Sequence, residues 1–303
     1  MNLKELETLD LSSNSLAMEI PIDIGNLSKI IRLDLSCNNF NGTILSSIQN
    51  LTKLEALSLE NNLLIGEIPS WLFNIKGLKS LLLGGNHLTW NNNAKIMPKF
   101  MLSELSMNSC GLVRKIPQWL AEMEVEFVIL SNNRFTGSLS PYLFDSQNLI
   151  ALSLSQNNFH GELPSNIGNA TKIGVLMLDE NNFSGKVPES VTNIKSLHLL
   201  DLSNNKFSSN TSPNFSSNEN LSIIDLSSNE FSGEISTKFP YGTISLSLGK
   251  NKFSSNLSRK LTNMRKLKYL DIHDNKITHE LPNSISQIST LQILILRNNS
   301  LKG

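Results

Sequence analysis

The chain is 303 residues long, 39% hydrophobic and 17% charged, and its 26 basic residues are matched by 26 acidic ones. A net charge of zero gives no reason to expect nucleic acid or an anionic membrane surface as partner, so any partner must be chosen locally. No apolar run approaches the roughly 18 residues of a membrane helix, and Met1-Asn-Leu-Lys-Glu opens without a signal peptide's apolar core, so neither targeting segment nor anchor is expected in this chain.

From Leu3-Lys-Glu-Leu6-Glu-Thr-Leu9-Asp-Leu11 onward, one unit recurs. It is clearest at Leu149-Ile-Ala-Leu-Ser-Leu-Ser-Gln-Asn157-Asn-Phe159-His-Gly161-Glu-Leu163-Pro164. Aligning the copies on the asparagine after the Leu-x-Leu pair gives Asn14, Asn38, Asn62, Asn86, Cys110, Asn133, Asn157, Asn181, Asn205, Asn229, Asn251, Asn275 and Asn299. Ten of the twelve intervals are 24 residues, one is 23 and one is 22. Such regularity predicts a solenoid of about 13 repeats, a single domain over 1–303. The alternating x-Leu-x-Leu-x segment predicts a short strand with its leucines inward. One strand per repeat, always in the same direction with a long return, stacks as a parallel sheet on the concave face. The aligned asparagines are expected to form a ladder, each side-chain amide serving backbone groups of neighbouring loops. Replacing Asn157 by leucine should therefore strand such groups, whereas Asn158 should face solvent.

Three repeats depart from the pattern. In the fourth, Trp90 takes the glycine place and Asn92-Asn93 that of Ile-Pro, which predicts a bulge in the outer wall. The ninth loses the motif over Phe207–Pro213, and the tenth is two residues short around Phe239-Pro-Tyr-Gly242. Phe135, Phe159, Phe183, Phe207, Phe231 and Phe253 fall at one repeat position and should stack as a core column. Cys37 and Cys110 lie three repeats apart, about 14 Å at a strand spacing near 4.8 Å. That is beyond disulfide reach, so both are expected as free thiols. The first unit begins part-way through and the last, ending at Gly303, stops before its Ile-Pro, so the domain reads as truncated at both ends.

The pattern Leu-x-x-Leu-x-Leu-x-x-Asn-x-Leu resembles leucine-rich repeats across the whole chain. Its continuation into Ile68-Pro69, Ile116-Pro117, Leu163-Pro164, Val187-Pro188 and Leu281-Pro282 resembles the plant-type subfamily. The run Leu88-Thr-Trp90, Pro98-Lys-Phe100, Leu105-Ser-Met107-Asn-Ser109-Cys110 and Ile116-Pro-Gln-Trp119 is similar to ectodomains of plant receptor-like proteins. The resemblance implies an α/β right-handed solenoid, horseshoe or superhelix, with short strands, turns and 3-10 segments on its convex side. It further implies a cell-surface module without a kinase, lying outside the plasma membrane and acting in signalling or defence. Its partners would be a peptide, microbial or protein ligand and a co-receptor kinase, with membrane contact only through segments absent from this chain. End caps with paired cysteines, usual in the family, are not found. A secreted inhibitor of cell-wall-degrading enzymes, an intracellular scaffold and a non-functional fragment are alternative readings.

No catalytic constellation stands out. Asp10, Asp34, Asp201, Asp225 and Asp271 share one repeat position, which accounts for them without catalysis. His273, between Asp271 and Asp274, is expected in a solvated turn rather than as a base or metal ligand. No glycine-rich phosphate loop or Cys/His metal spacing occurs, so no cofactor, metal or enzyme activity is expected. What remains is the outward face of the strands, where most residues are Ser, Asp or Asn. The departures are Glu60, Leu82, Glu104, Phe127, Ile129, Val175, Met177, Asp179, Glu180, Lys250, His273, Ile295 and Arg297. Phe127, Ile129, Met177, Asp179 and Glu180 form the candidate ligand site, apolar groups rimmed by acids. Candidate glycosylation acceptors are Asn26, Asn41, Asn50, Asn169, Asn182, Asn210, Asn214, Asn220 and Asn256. A tenth sequon, at Asn298, lies beside the ladder and is the least suited.

Overall fold

The structure, a computed structural model, describes residues 3–90, 102–121, 123, 125–210, 213–258, 261 and 263–302. Contacts divide the chain into two compact units, Met1–Thr136 and Gly137–Gly303.

In the first unit six three-residue strands lie side by side in chain order: β1 Thr8–Asp10, β2 Arg32–Asp34, β3 Ala56–Ser58, β4 Ser80–Leu82, β5 Glu104–Ser106 and β6 Phe127–Ile129. Every pairing is parallel, and each residue faces its counterpart in the next repeat, as Leu33 faces Leu57 and Leu57 faces Leu81. The second unit holds seven more: β7 Ala151–Ser153, β8 Val175–Met177, β9 Leu199–Asp201, β10 Ile223–Asp225, β11 Ser245–Ser247, β12 Tyr269–Asp271 and β13 Ile293–Ile295. They too are parallel and in register. Pleating turns the central residue of each strand inward, and Leu57, Leu81, Leu105, Leu152, Leu176, Leu200 and Ile224 are fully buried there. Each such burial contributes about 1.5–3 kcal/mol, repeated at every level.

The return segments follow from the Ile-Pro motif. Pro21, Pro69, Pro188 and Pro282 sit at φ between −61° and −70° immediately before short 3-10 helices, Ile22–Asn26, Ser70–Asn74, Glu189–Asn193 and Asn283–Gln287. Proline needs no donor at that point and its ring presets the entry angle. The main sheet, the in-register strands and these 3-10 returns make a solenoid. Short second strands, expected from the family resemblance, follow the ladder position and pair in parallel with those of adjacent repeats. Ala17–Glu19 pairs with Asn39–Asn41 in the first unit, and Asn158–Gly161 with Asn182–Gly185 in the second.

The ladder asparagines use both ends of their amides. Asn205 Oδ1 accepts from Phe183 N at 2.9 Å, while its Nδ2 donates to Leu178 O at 2.9 Å, Ser203 O at 3.0 Å and Leu202 O at 3.2 Å. Asn38, Asn62, Asn86, Asn181, Asn229 and Asn251 repeat the arrangement, and all are buried. Cys110 keeps the donor half: its thiol points to Leu83 O at 3.4 Å and Asn108 O at 3.5 Å, the carbonyls an amide would take. Both cysteines are free; Cys37 is exposed and Cys110 buried.

Phe159, Phe183, Phe207, Phe231 and Phe253 stack in the second unit, with centroids 6.0–6.5 Å apart and planes within 16° of parallel. In the first unit Phe135 is likewise buried. Trp90 packs against Phe73 and Trp119 at 6.1 and 5.6 Å, so it serves as core. Asn92-Asn93 and the rest of the expected outer bulge fall outside the described residues, as do Thr211 and Ser212 in the ninth repeat. In the short tenth repeat Thr243 is fully buried and donates to Pro240 O at 2.9 Å, closing the abbreviated turn.

Candidate ligand-recognition face

Alternation along each strand leaves its first and third residues on the open face of the main sheet. In the first unit Glu60 reaches across a gap to accept from Ser106 Oγ, two strands away, at 2.7 Å. Gly84 makes the gap: a Cβ there would stand 2.1 Å from Asn108 Oδ1. Beside it Ser80 Oγ donates to Glu104 Oε2 at 2.7 Å. Phe127 and Ile129 on β6 are half-buried and face Glu104 and Ser106 of β5.

In the second unit Met177 and Asp179 are half-buried and Glu180 is exposed, neighbours within one repeat. The five candidate residues therefore fall on both units: Phe127 and Ile129 on the first, the other three on the second. Asp179 accepts a hydrogen bond from Ser155 Oγ. Burial pushes its carboxyl above the usual range against that bond, with the charge of Asp201 adding to the effect. Asp201 is raised in the same way by burial, opposed by its bond from Ser203 N at 3.0 Å and assisted by Asp225 and Glu180.

Several outward residues escaped the reading of the repeat. Leu199, Ile223 and Tyr269 hold the position of Val175 on β9, β10 and β12, and Ile223 is 42% exposed. The signal was present, since these too are apolar or aromatic residues on the outward side of a strand. Leucine and isoleucine pass unnoticed, however, in a chain whose core is made of them.

His273 corrects an expectation. Its ring does not stand in a solvated turn but lies only 11% exposed, with Nδ1 2.6 Å from Asp271 Oδ1 and Nε2 3.7 Å from Asp274 Oδ2. Gly249 in the neighbouring repeat gives the ring room: a Cβ there would come within 2.4 Å of Nδ1. No group of three His, Cys, Asp or Glu among the described residues could hold a metal ion.

The residue just before each ladder position is left-handed throughout, from Ser13 at φ 55° to Asn298 at 54°. Glu180 and Lys250, both at 51°, hold that conformation without the help of glycine or asparagine, and they project from a strained turn.

The Leucine Rich Repeat family profile matches residues 5–27, 29–51, 53–75, 148–170, 196–218 and 266–288, each window spanning one strand-to-helix unit. The chain is a leucine-rich repeat solenoid. Receptor-like protein 46 of Arabidopsis thaliana is 54% identical to it over 35 residues, 12% of this chain and 4% of that protein. Among solved structures, the solenoid superposes along its full length on PEPR1 in its complex with AtPEP1, with a TM-score of 0.90 and 29% identity. The ectodomain of the Arabidopsis thaliana receptor kinase GASSHO1/SCHENGEN3, in complex with CASPARIAN STRIP INTEGRITY FACTOR 2, gives 0.85 and 30%. The Arabidopsis receptor kinase HAESA, with the peptide hormone IDA and co-receptor SERK1, gives 0.70 and 26% over 98% of the solenoid. The solenoid spans 43%, 40% and 63% of those three chains. It thus resembles the ectodomains of plant receptors. No helix among the described residues is long and apolar enough to cross a membrane.

Proposed function

We propose that this solenoid is a ligand-recognition segment of a plant receptor ectodomain, displayed outside the plasma membrane and acting in signalling or defence. Its ligand is a peptide, a microbial product or a protein, and a co-receptor kinase completes the signalling complex. It has no catalytic role and needs no cofactor. The observation that carries the reading is the open face of the main sheet. In the first unit Phe127 and Ile129 stand half-buried on that face, and in the second Met177 does, with Asp179 and Glu180 beside it; Ile129 and Met177 hold a position that is Ser or Asp in most repeats. Apolar groups with a charged rim are what a recognition surface concentrates its binding energy in. The likeness to receptors solved with peptide hormones supports it. Glycosylation fits the opposite side: Asn26, Asn50 and Asn169 end the short return helices and are exposed.

The test is selection of binders from displayed random nonapeptides, followed by Phe127→Ser and Met177→Ser, singly and together. Both changes place serine where other repeats already carry it, as Ser80 and Ser153 do, so the fold should persist by circular dichroism. The double variant should lose roughly 2 kcal/mol of binding, about thirtyfold. Glu162 and Lys186, exposed beyond the ladder, serve as controls. Binding that survives the double change but disappears with Glu162→Ser or Lys186→Ser would move the site off the open face.

A further inference from the structure

One part of the open face in the second unit has a chemistry of its own. Val175, Leu199 and Ile223 stand in direct register on β8, β9 and β10. At a strand spacing near 4.8 Å they make an apolar stripe about 10 Å long. In the flanking repeats Ile150, just before β7, is 37% exposed and Ile244, just before β11, is 39% exposed, each one residue off the line of the stripe.

Two residues further along β9 and β10 come Asp201 and Asp225, again in direct register. Asp179 and Glu180 occupy the turn after β8. None of these four carboxylates meets a cation among the described residues. Lys250 and Lys268, exposed in the surrounding repeats, form no ion pair with them either. Asp179 and Asp201 are partly removed from water and repel their neighbours, which raises both. Negative charge held together without a counter-ion is a standing cost that an incoming cation removes. A metal ion does not suit the place, because no three of these groups converge as ligands. The spacing suits an organic cation. Two residues along a strand are about 6.6 Å, close to the reach of a lysine or arginine stem, and such stems lie along apolar surface with their heads free.

We propose that the stripe Val175–Leu199–Ile223 binds an extended ligand segment bearing lysine or arginine, its stems over Leu199 and Ile223 and its charged heads on Asp201, Asp225 and Asp179. The proposal rests on the open face being the recognition face and adds the chemistry of what it recognises.

The displayed nonapeptide library supplies the probe, panned on the whole chain at physiological salt. Selected peptides should be enriched in Lys or Arg together with apolar residues. The pair Asp201→Asn with Asp225→Asn should weaken them at least about tenfold, as should Leu199→Ser with Ile223→Ser, and raised salt should weaken the parent more than the asparagine variant. Asparagine keeps the oxygen that accepts from Ser203 N and Ser227 N, so the thermal midpoint should hold or rise while binding falls. Peptides lacking enriched Lys or Arg, or indifferent to both pairs of changes yet lost with Phe127→Ser or Met177→Ser, would overturn this inference and leave the recognition face standing. Peptides indifferent to every open-face change would overturn both.

Discussion

At the scale of the residue, the asparagine ladder sets the clearest stakes. Asn205→Leu keeps the volume but removes the acceptor for Phe183 N and the donor for three carbonyls. Each buried group left unpaired costs about 1–3 kcal/mol. Lys206→Leu, exposed on the next residue, should be nearly silent, and equal denaturation midpoints for the two variants would dismiss the ladder's role. Cys110 is the natural counterpart of that experiment, because its thiol offers no good acceptor. Cys110→Asn should therefore raise the midpoint, by about 0.5–1.5 kcal/mol for one recovered hydrogen bond. The two thiols should also differ in reactivity. Burial pushes Cys110 up to about 11, the bond from the Asn86 backbone opposing it, whereas Cys37 is exposed. Titration with a thiol reagent at neutral pH should find one reactive group in the folded chain and two after denaturation.

At the scale of the element, the Gly-x-Ile-Pro motif explains itself through backbone angles. Gly66, Gly137, Gly161 and Gly185 all sit at φ between 75° and 94° in the second strands, while Met18, Arg114, Ser255 and His279 hold the same turn at 69° to 88° with a side chain. A Cβ on Gly161 would meet nothing closer than Ser138 Cβ at 3.6 Å, so Gly161→Ala should cost about 1 kcal/mol from the dihedral alone. His279→Gly should recover a similar amount, and chemical denaturation of the two variants gives the comparison. If Gly161→Ala is neutral, the turn is not strained. Here the sequence and the structure part company in an instructive way. The period, the ladder and the inward leucines were legible because each is a residue type forced by burial at a fixed spacing. The second strands were legible only through the family resemblance, since two to five residues with mixed polarity carry no alternation to read. Leu199 and Ile223 were hidden because a solvent-facing leucine looks like a core one. His273 was misplaced because the room for its ring comes from Gly249, a full repeat earlier, while the flanking Asp271 and Asp274 read as a solvated turn.

At the scale of the whole molecule, the open-face carboxylates of the second unit tie stability to pH. Asp179 and Asp201 are raised in the folded state. Their contribution is therefore fully present below the unfolded value of about 3.9 and is lost as pH rises through the folded values, so ionising them at neutral pH costs stability. Glu230 runs the other way: Lys252, 2.8 Å distant, lowers it, and its contribution fades only as pH falls through its own depressed value. Acidifying from pH 7 toward pH 5 should thus leave the parent as stable or more so. The variant Asp179→Asn with Asp201→Asn should exceed the parent at pH 7, with the difference closing near pH 4. Thermal melts across that range check it, and a constant difference would show that the two carboxylates are not held above their usual range. The same two residues are the ones a cationic ligand would discharge. Stability given up at neutral pH is in this way set against affinity.

The ladder also has a direction. The buried amides accept from and donate to the repeat that precedes them, as Asn181 does with Phe159 N and Leu154 O, and its remaining side-chain bonds are to its own turn. Everything an asparagine needs has therefore already left the ribosome when that asparagine emerges. A repeat can lock onto finished structure as soon as it is made, without waiting for chain still to be synthesised, and the backbone N–H it leaves open is closed by the next arrival. Growth of the array can thus keep pace with translation, one period at a time.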